Sequence, residues 1–296
     1  MKKQKYNSPL VCLIMPVYNG EDTLKNAIAS LLRQTYDNWF CIIVNDGSTD
    51  GTRAILDSIK DSRFLVLHLI KNRGRGVARD IGLSHAAGKY LAYLDADDMI
   101  HKDKIRVQVD FLEHHPDIYI VGCGGITFGT DFKAFNVFGL NDFISTKALK
   151  YGQDLPLTLA SSMIRFENAK LFSYNHFLDV GEDYDYFARY CEGHRYANIG
   201  CLYYYYRVGN VTAQKMLYYQ INDMKSVIVR WKYGFKLLAI KTAIIRLIKL
   251  FAYSFLLLFF NTTKILNFRN NTVIDSEQNT EFLNEINRIQ QLSDTF

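Results

Sequence analysis

The chain has 296 residues, 49% of them hydrophobic, 14% aromatic and 22% charged, with 4 prolines. This excludes a disordered, collagen-like or disulfide-knotted protein and leaves enough chain for a sizeable core. The formal charge of +5 is unevenly placed: residues 1–200 hold 23 Lys and Arg against 24 Asp and Glu, residues 201–274 hold 11 against 1, and residues 275–296 hold 1 against 5. A partner selected by charge therefore meets only the last third of the chain.

In chain order, Lys2, Lys3 and Lys5 precede a short apolar run at 10–15. Ending at Pro16, this run is too short for the core of a signal peptide and reads as a buried strand. Further runs at 40–44, 64–69 and 90–94 are β-branched or aromatic and end in polar or glycine-rich turns, as buried parallel strands do. Between the first two, Leu24, Ala27, Ile28, Leu31 and Leu32 recur at helical spacing, with Glu21 and Asp22 expected in the first turn. The order β-α-β-α-β-α-β predicts a mostly parallel, Rossmann-like central sheet flanked by helices, with ligands at the carboxyl ends of the strands. Beyond residue 118 the glycines at 122, 124, 125 and 129 point to a mixed sheet and loops. Residues 1–212 read as one catalytic domain, 213–268 as a basic, apolar helical segment and 269–296 as an acidic tail. The unbroken apolar run at 250–260 falls short of the roughly 20 residues needed to span a bilayer. Five cysteines without CxxC spacing read as reduced thiols of a cytosolic protein with no metal or redox role.

Three loops carry candidate chemistry. Asp95-Ala96-Asp97-Asp98 follows an apolar strand, and in extended chain Asp95 and Asp97 would point to one side and converge on a cation. A hard Mg2+ or Mn2+ completed by phosphate and water suits such carboxylates, although a solvated acidic turn would read the same way. Asn45-Asp46-Gly47-Ser48-Thr49-Asp50 also follows a strand; Asp46 could accept from a base or ribose, while Ser48, Thr49 or Asp50 caps the next helix. Asn72-Arg73-Gly74-Arg75-Gly76 has the glycines of a phosphate loop without a Walker or GxGxxG signature. Its Arg73, Arg75 or the following Arg79 could bind a diphosphate or pair with Asp97 or Asp98.

Taken together with Met15-Pro16-Val17-Tyr18-Asn19, Ser30-Leu31-Leu32-Arg33-Gln34-Thr35 and Val77-Ala78-Arg79, these blocks stand in one order over about a hundred residues. That series resembles the family 2 inverting glycosyltransferases with the GT-A fold, of the surface-polysaccharide type. The resemblance implies a nucleotide-sugar donor, usually a UDP-sugar, bound by Pro16, Val17, Tyr18, Asn19 and Asp46 on the nucleoside side, with Arg75 bordering the base or diphosphate. It also implies that Asp95, with Ala96, faces the ribose or donor sugar, that Asp97 holds Mn2+ or Mg2+, and that Arg207 reaches a phosphate. Gly181-Glu182-Asp183-Tyr184-Asp185 resembles the block that opens the acceptor-side helix, making Asp183 the general base with Glu182 in support. Three departures are visible: Asp80 stands where the family usually has asparagine, the segment from Phe172 to Phe177 lacks the usual glycine pair, and Gly209 stands where the family's loop closing over the donor often carries histidine. Neither His176 nor His194 receives a role.

The basic segment, rich in aromatic residues (Phe251, Tyr253, Phe255, Phe259 and Phe260), reads as an amphipathic element lying on an anionic membrane surface. Lys232, Lys236, Arg246 and Lys249 fall within an arc of about 140° if it is one helix, with Lys241 outside. A helix packed on the catalytic domain or in a homodimer is the alternative, and no nucleic-acid module accompanies the charge. The expected activity is therefore transfer of one hexose, with inversion, to a lipid-linked or polysaccharide acceptor at the inner face of the cell membrane. Alternatives are a processive synthase, whose Gln-x-x-Arg-Trp motif is broken here by Val227 before Arg230-Trp231, and a non-catalytic sugar-nucleotide-binding protein.

Overall fold

The computed structural model describes residues 8–150, 157–158, 160–167, 169–209, 212–232, 236–259 and 274–296. Its centre is a mixed sheet in the order β3-β2-β1-β4-β9-β6-β10-β5, with β7 beside β6 and β8 beside β10. The first half is wholly parallel: β1 (Val11–Val17) pairs with β2 (Trp39–Asn45) on one side and β4 (Tyr90–Tyr93) on the other, and β3 (Phe64–His68) flanks β2. The strand alternation explains why β1 is apolar throughout. Leu13 and Met15 pack against Leu24, Ala27, Ile28 and Leu31 of α1 (Leu24–Leu32). Cys12 and Ile14 face the other way, onto Ala78 and Leu83 of α3 (Arg75–His85). The short α2 (Thr52–Asp57) connects β2 to β3.

The parallel character ends at β9 (Met163–Arg165), which runs antiparallel to β4 and to β6 (Ile118–Phe128). β6 then pairs in parallel with the long β10 (Arg195–Arg207) and antiparallel with β7 (Ala134–Phe138). β8 (Phe143–Ile144) and β5 (Met99–Ile100) are antiparallel to β10. The mixed sheet expected beyond residue 118 is thus present. α4 (Lys104–His114) and α5 (Glu182–Tyr190) complete this part. Gln34 joins α1 to the chain after β5: its side-chain amide donates to the Ser30 and His101 carbonyls and accepts from the Ile105 N–H.

Glu21 and Asp22 do not enter the first turn of α1, which begins at Leu24 with no acidic residue. Glu21 instead accepts from the Gly51 N–H, while Asp50 accepts from the Glu21 and Thr52 N–H groups. The loops after β1 and β2 are stitched together this way, because their N–H groups need partners where two helix starts crowd one another.

Two helices follow β10, α6 (Ala213–Lys232) and α7 (Lys236–Phe259), which pack on each other. The single-helix projection of the basic residues therefore does not hold: Lys232 belongs to α6, and Lys236, Arg246 and Lys249 to α7. Among the described residues no helix is long and apolar enough to cross a membrane. Positions 260–268 of the expected basic segment and 269–273 of the tail lie outside the described residues.

The rest of the tail forms α8 (Ser276–Ser293), opened by a capping box of Asp275 and Gln278. It docks on α1 and the sheet. Phe282, Ile286 and Ile289 are buried with Ala29, Met99, Phe128 and Tyr205, and Glu285, itself buried, pairs with Arg33 at 3.0 Å.

Candidate active site

The strands run outward from β1 in two directions, toward β2 and toward β4, so the connections diverge there and leave a crevice at their carboxyl ends. A cleft of about 670 Å³ lies at this place. Its wall includes Pro16, Val17, Tyr18, Asn19, Asp46, Arg75, Asp95, Ala96, Asp97 and Arg207, the whole set expected to bind donor and metal. Asp183 and Glu182 are not among the lining residues.

Asp46 is buried at the end of β2 and accepts from the backbone N–H of Arg73 at 2.7 Å and of Gly74 at 2.9 Å. In this ligand-free arrangement the carboxylate holds the arginine-glycine loop in place. Gly74 adopts φ 90°, and Gly47 φ 70° with a Cβ position only 2.3 Å from the Lys71 carbonyl carbon. A side chain at Gly47 would force the two loops apart.

The aspartate block is a turn, not extended chain: the Asp98 N–H donates to the Asp95 carbonyl at 3.0 Å. The turn separates the three carboxylates by function. Asp97 is exposed on the cleft wall, and Asp95 pairs with Arg79 at 2.9 Å. Asp98 is buried, accepting from the Tyr204 hydroxyl at 2.6 Å and the Arg207 N–H at 2.8 Å. Burial, reinforced by the charges of Asp97 and Asp95, pushes its carboxyl well above the usual range. Asp98 thus ties the end of β10, and Arg207 with it, to the aspartate turn.

The arginines also pair differently from the sequence expectation. Arg79 is buried and bridges Asp95 to Glu182, the latter at 2.5 Å, leaving Asp97 and Asp98 aside. Arg75 reaches the same Glu182 Oε1 at 2.6 Å and donates to the Asp179 carbonyl at 3.0 Å, while keeping about half its side chain exposed to the cleft. Glu182 is fully buried, and among the described residues its Oε2 has no hydrogen-bond partner. Burial raises its carboxyl, and Asp183 adds to this, while Arg75 and Arg79 act in the opposite direction. Asp183 is half-buried in the first turn of α5, where its side chain accepts from the Tyr184 N–H at 2.8 Å.

Several lining residues were assigned no ligand role from sequence: His176, Leu178 and Asp179 of the loop before α5, and Tyr206, Tyr218 and Tyr219. His194, by contrast, stacks on Tyr119 away from this cleft's lining. Residues 151–156 and 210–211 lie outside the described residues.

An ion at Asp97 would need most of its ligands from elsewhere. Among the described residues no group of three or more His, Cys, Asp or Glu side chains gathers to hold a metal. One exposed carboxylate beside a second that is shared with an arginine suits Mg2+ or Mn2+ held jointly with phosphate oxygens and water, as a nucleoside diphosphate would provide.

Residues 12–172 match the profile of Glycosyl transferase family 2. The chain belongs to that family. This glycosyltransferase is 35% identical over 185 residues to an uncharacterized glycosyltransferase of Haemophilus influenzae, a match covering 58% of this chain and 72% of that protein. It is 38% identical over 103 residues to the UDP-Glc:alpha-D-GlcNAc-diphosphoundecaprenol beta-1,3-glucosyltransferase WfgD of Escherichia coli, covering 35% of this chain and 41% of WfgD. Among solved structures, S. aureus TarS residues 1–349 in complex with UDP aligns with a TM-score of 0.57 at 20% identity, over 74% of this chain and 65% of that one. The likeness to TarS is one of fold, the GT-A-like sheet and its flanking helices.

Proposed function

We propose that the protein transfers one hexose from a nucleotide-diphosphate sugar, a UDP-sugar first among them, to a hydroxyl of a lipid-linked or saccharide acceptor, with inversion, in cell-surface polysaccharide synthesis. The observation that carries the reading is the convergence on one cleft of Asp46, Asp95, Asp97, Arg75 and Arg207, carboxylates beside cations at a strand switch point. WfgD is named for a UDP-glucose donor and a diphosphate-linked lipid acceptor, and TarS has been solved with UDP, which favours the UDP assignment.

In this reading the nucleoside lies along Pro16, Val17, Tyr18, Asn19 and Asp46, and Asp95 with Ala96 meets the ribose or sugar. Arg75 and Arg207 face the diphosphate. Asp97 would hold Mg2+ or Mn2+, and the ion would neutralise charge on the departing diphosphate. The acceptor hydroxyl attacks the anomeric carbon from the side opposite the diphosphate and loses its proton to Asp183, through a transition state of oxocarbenium character. Support for Asp183 is its place in the first turn of α5 beside Glu182, the residue joined through Arg79 to Asp95. Contacts of a general base tighten when substrate binds, so its distance from the lining is compatible with the role.

The test is a panel of nucleotide sugars scored for thermal stabilisation with and without Mn2+ or Mg2+, followed by transfer from the stabilising donors to GlcNAc-diphosphoprenol and to free saccharides. Stabilisation by UDP-sugars and product of inverted anomeric configuration are expected. A retained configuration, or full activity after exhaustive chelation, would overturn the inversion or the metal role respectively. Asp183→Asn is expected to keep donor binding and lose transfer by 100-fold or more, on the order of a missing general base; a variant turning over at the wild-type rate would remove Asp183 from the mechanism.

A further inference from the structure

Asp80 and the loop before α5 meet in the structure, although 94 residues and more separate them along the chain. Asp80, on α3, accepts from the Tyr174 N–H at 2.9 Å through Oδ1 and contacts His176 Nε2 at 2.6 Å through Oδ2. It does not pair with Arg79, whose partners are Asp95 and Glu182. The His176 ring edge lies against Gly76 in the first turn of α3, with Cδ2 at 3.8 Å from where a Cβ would stand. The same imidazole lines the cleft and is about half exposed.

The loop is held at neighbouring points too. Arg189 donates to the Ser173 carbonyl at 2.7 Å, and Asp179 is held by Arg75 through its carbonyl and by Lys225 through its side chain. The Asp80 contact joins a side chain of α3 to an aromatic nitrogen of a residue that lines the cleft. A carboxylate has acceptors alone, so the shared proton belongs to Nε2, and in the tautomer that this selects Nδ1 is an acceptor.

We propose that Asp80 and His176 form an acceptor clip. Asp80 is a positioning residue that fixes residues 172–179 on α3, and His176 Nδ1 accepts a hydrogen bond from a hydroxyl of the acceptor sugar. The clip adds an acceptor-recognition element to the transferase reading above, on which it rests. Because α3 also carries Arg75 and Arg79, one helix sets the spacing between the donor diphosphate side and the acceptor side.

The choice of variants separates the tie to the loop from the orientation of the ring. Asp80→Asn keeps an oxygen for the Tyr174 N–H but presents an amide N–H to His176, so the ring must move its proton to Nδ1 and loses the acceptor that faces the sugar. Asp80→Ala loses both. UDP affinity, hydrolysis of the UDP-sugar in the absence of acceptor, KM for GlcNAc-diphosphoprenol or the saccharide found by the panel, and amide exchange of segment 172–179 would be measured for wild type, both Asp80 variants and His176→Ala. His176→Ala and Asp80→Asn are expected to raise acceptor KM tenfold or more, with UDP affinity and donor hydrolysis within twofold of wild type and exchange protection retained in Asp80→Asn. Asp80→Ala is expected to lose that protection as well. Unchanged acceptor KM in His176→Ala and Asp80→Asn, or UDP affinity falling in step with it, overturns the clip. A wild-type chain that neither bound UDP nor transferred sugar would remove the transferase reading itself, a different outcome from active protein indifferent to these substitutions.

Discussion

At the scale of the residue, Asp98 shows how much of an acidic motif can be structural. Its two oxygens satisfy the Tyr204 hydroxyl and the Arg207 N–H in a buried place. Removing the carboxyl strands both donors. Asp98→Ala is therefore expected to cost about 2–6 kcal/mol in chemical denaturation, on the basis of ~1–3 kcal/mol for each of the two groups left without a partner; a loss under about 0.5 kcal/mol would mean that water or a neighbour replaces it. Glu182 makes a prediction of another kind. Its carboxyl is raised by burial, so the folded state holds the proton more tightly than the unfolded chain, and its contribution to stability is present at low pH and lost as pH climbs from the ordinary value of 4.5 through the folded one. The stability of wild type relative to Glu182→Gln should thus fall with rising pH from about 4.5; a difference that is flat or rises with pH would contradict the assignment. Both carboxylates were visible as motif members, and so were Asp46, Asp95 and Asp97. Their partners were not. Asp46 on backbone N–H groups, Arg79 on Glu182 and Asp80 on His176 are contacts between residues far apart in the chain, and no period or spacing encodes them.

At the scale of the element, legibility follows burial geometry. β1 to β4 are short and the first two are covered on both faces, so unbroken apolar runs announced them within one or two residues of their ends. β6 and β10 were harder, since glycines at 122, 124 and 125 occupy the first and register shifts interrupt the pairing of the second. The acidic tail shows what a charge count hides. Its five carboxylates drew attention, while Phe282, Ile286 and Ile289 at i, i+4 and i+7 form the stripe that docks α8 on the core. α8 is not solvated on all sides: Glu285, buried against Arg33, joins it to α1. Phe282→Ala is expected to destabilise the protein by about 3–5 kcal/mol, the range for truncating a buried phenylalanine. Urea denaturation with the wild-type midpoint would show that α8 does not dock in solution.

At the scale of the whole molecule, the basic segment remains as the part of the surface that the cleft does not explain. On α7, Leu237, Ile244, Ile248, Phe251 and Phe255 are all exposed, and at 100° per residue they share an arc of about 60°. Ala239 and Thr242 are buried on the other side, where Thr242 accepts from Arg230 of α6 at 2.5 Å. Lys241 stands about 20° beyond one edge of this arc and Lys236 about 60° beyond the other, both exposed, and the exposed Lys249 lies further round, about 100° from the first edge. An exposed apolar stripe between lysines matches a surface of anionic headgroups over acyl chains, and each basic residue near such a surface adds ~1 kcal/mol. Cutting the chain near residue 212 would be a poor test, since it also removes α8 from the core. The better one is the double substitution Ile248→Glu with Phe251→Glu in full-length protein. Wild type should sediment with vesicles of phosphatidylglycerol and phosphatidylethanolamine, weakly so at high salt, and the double variant should stay in the supernatant while hydrolysing donor at the wild-type rate. If wild type fails to bind vesicles and instead elutes as a dimer that the same substitutions split, the stripe faces a second copy of the chain and the membrane reading is wrong.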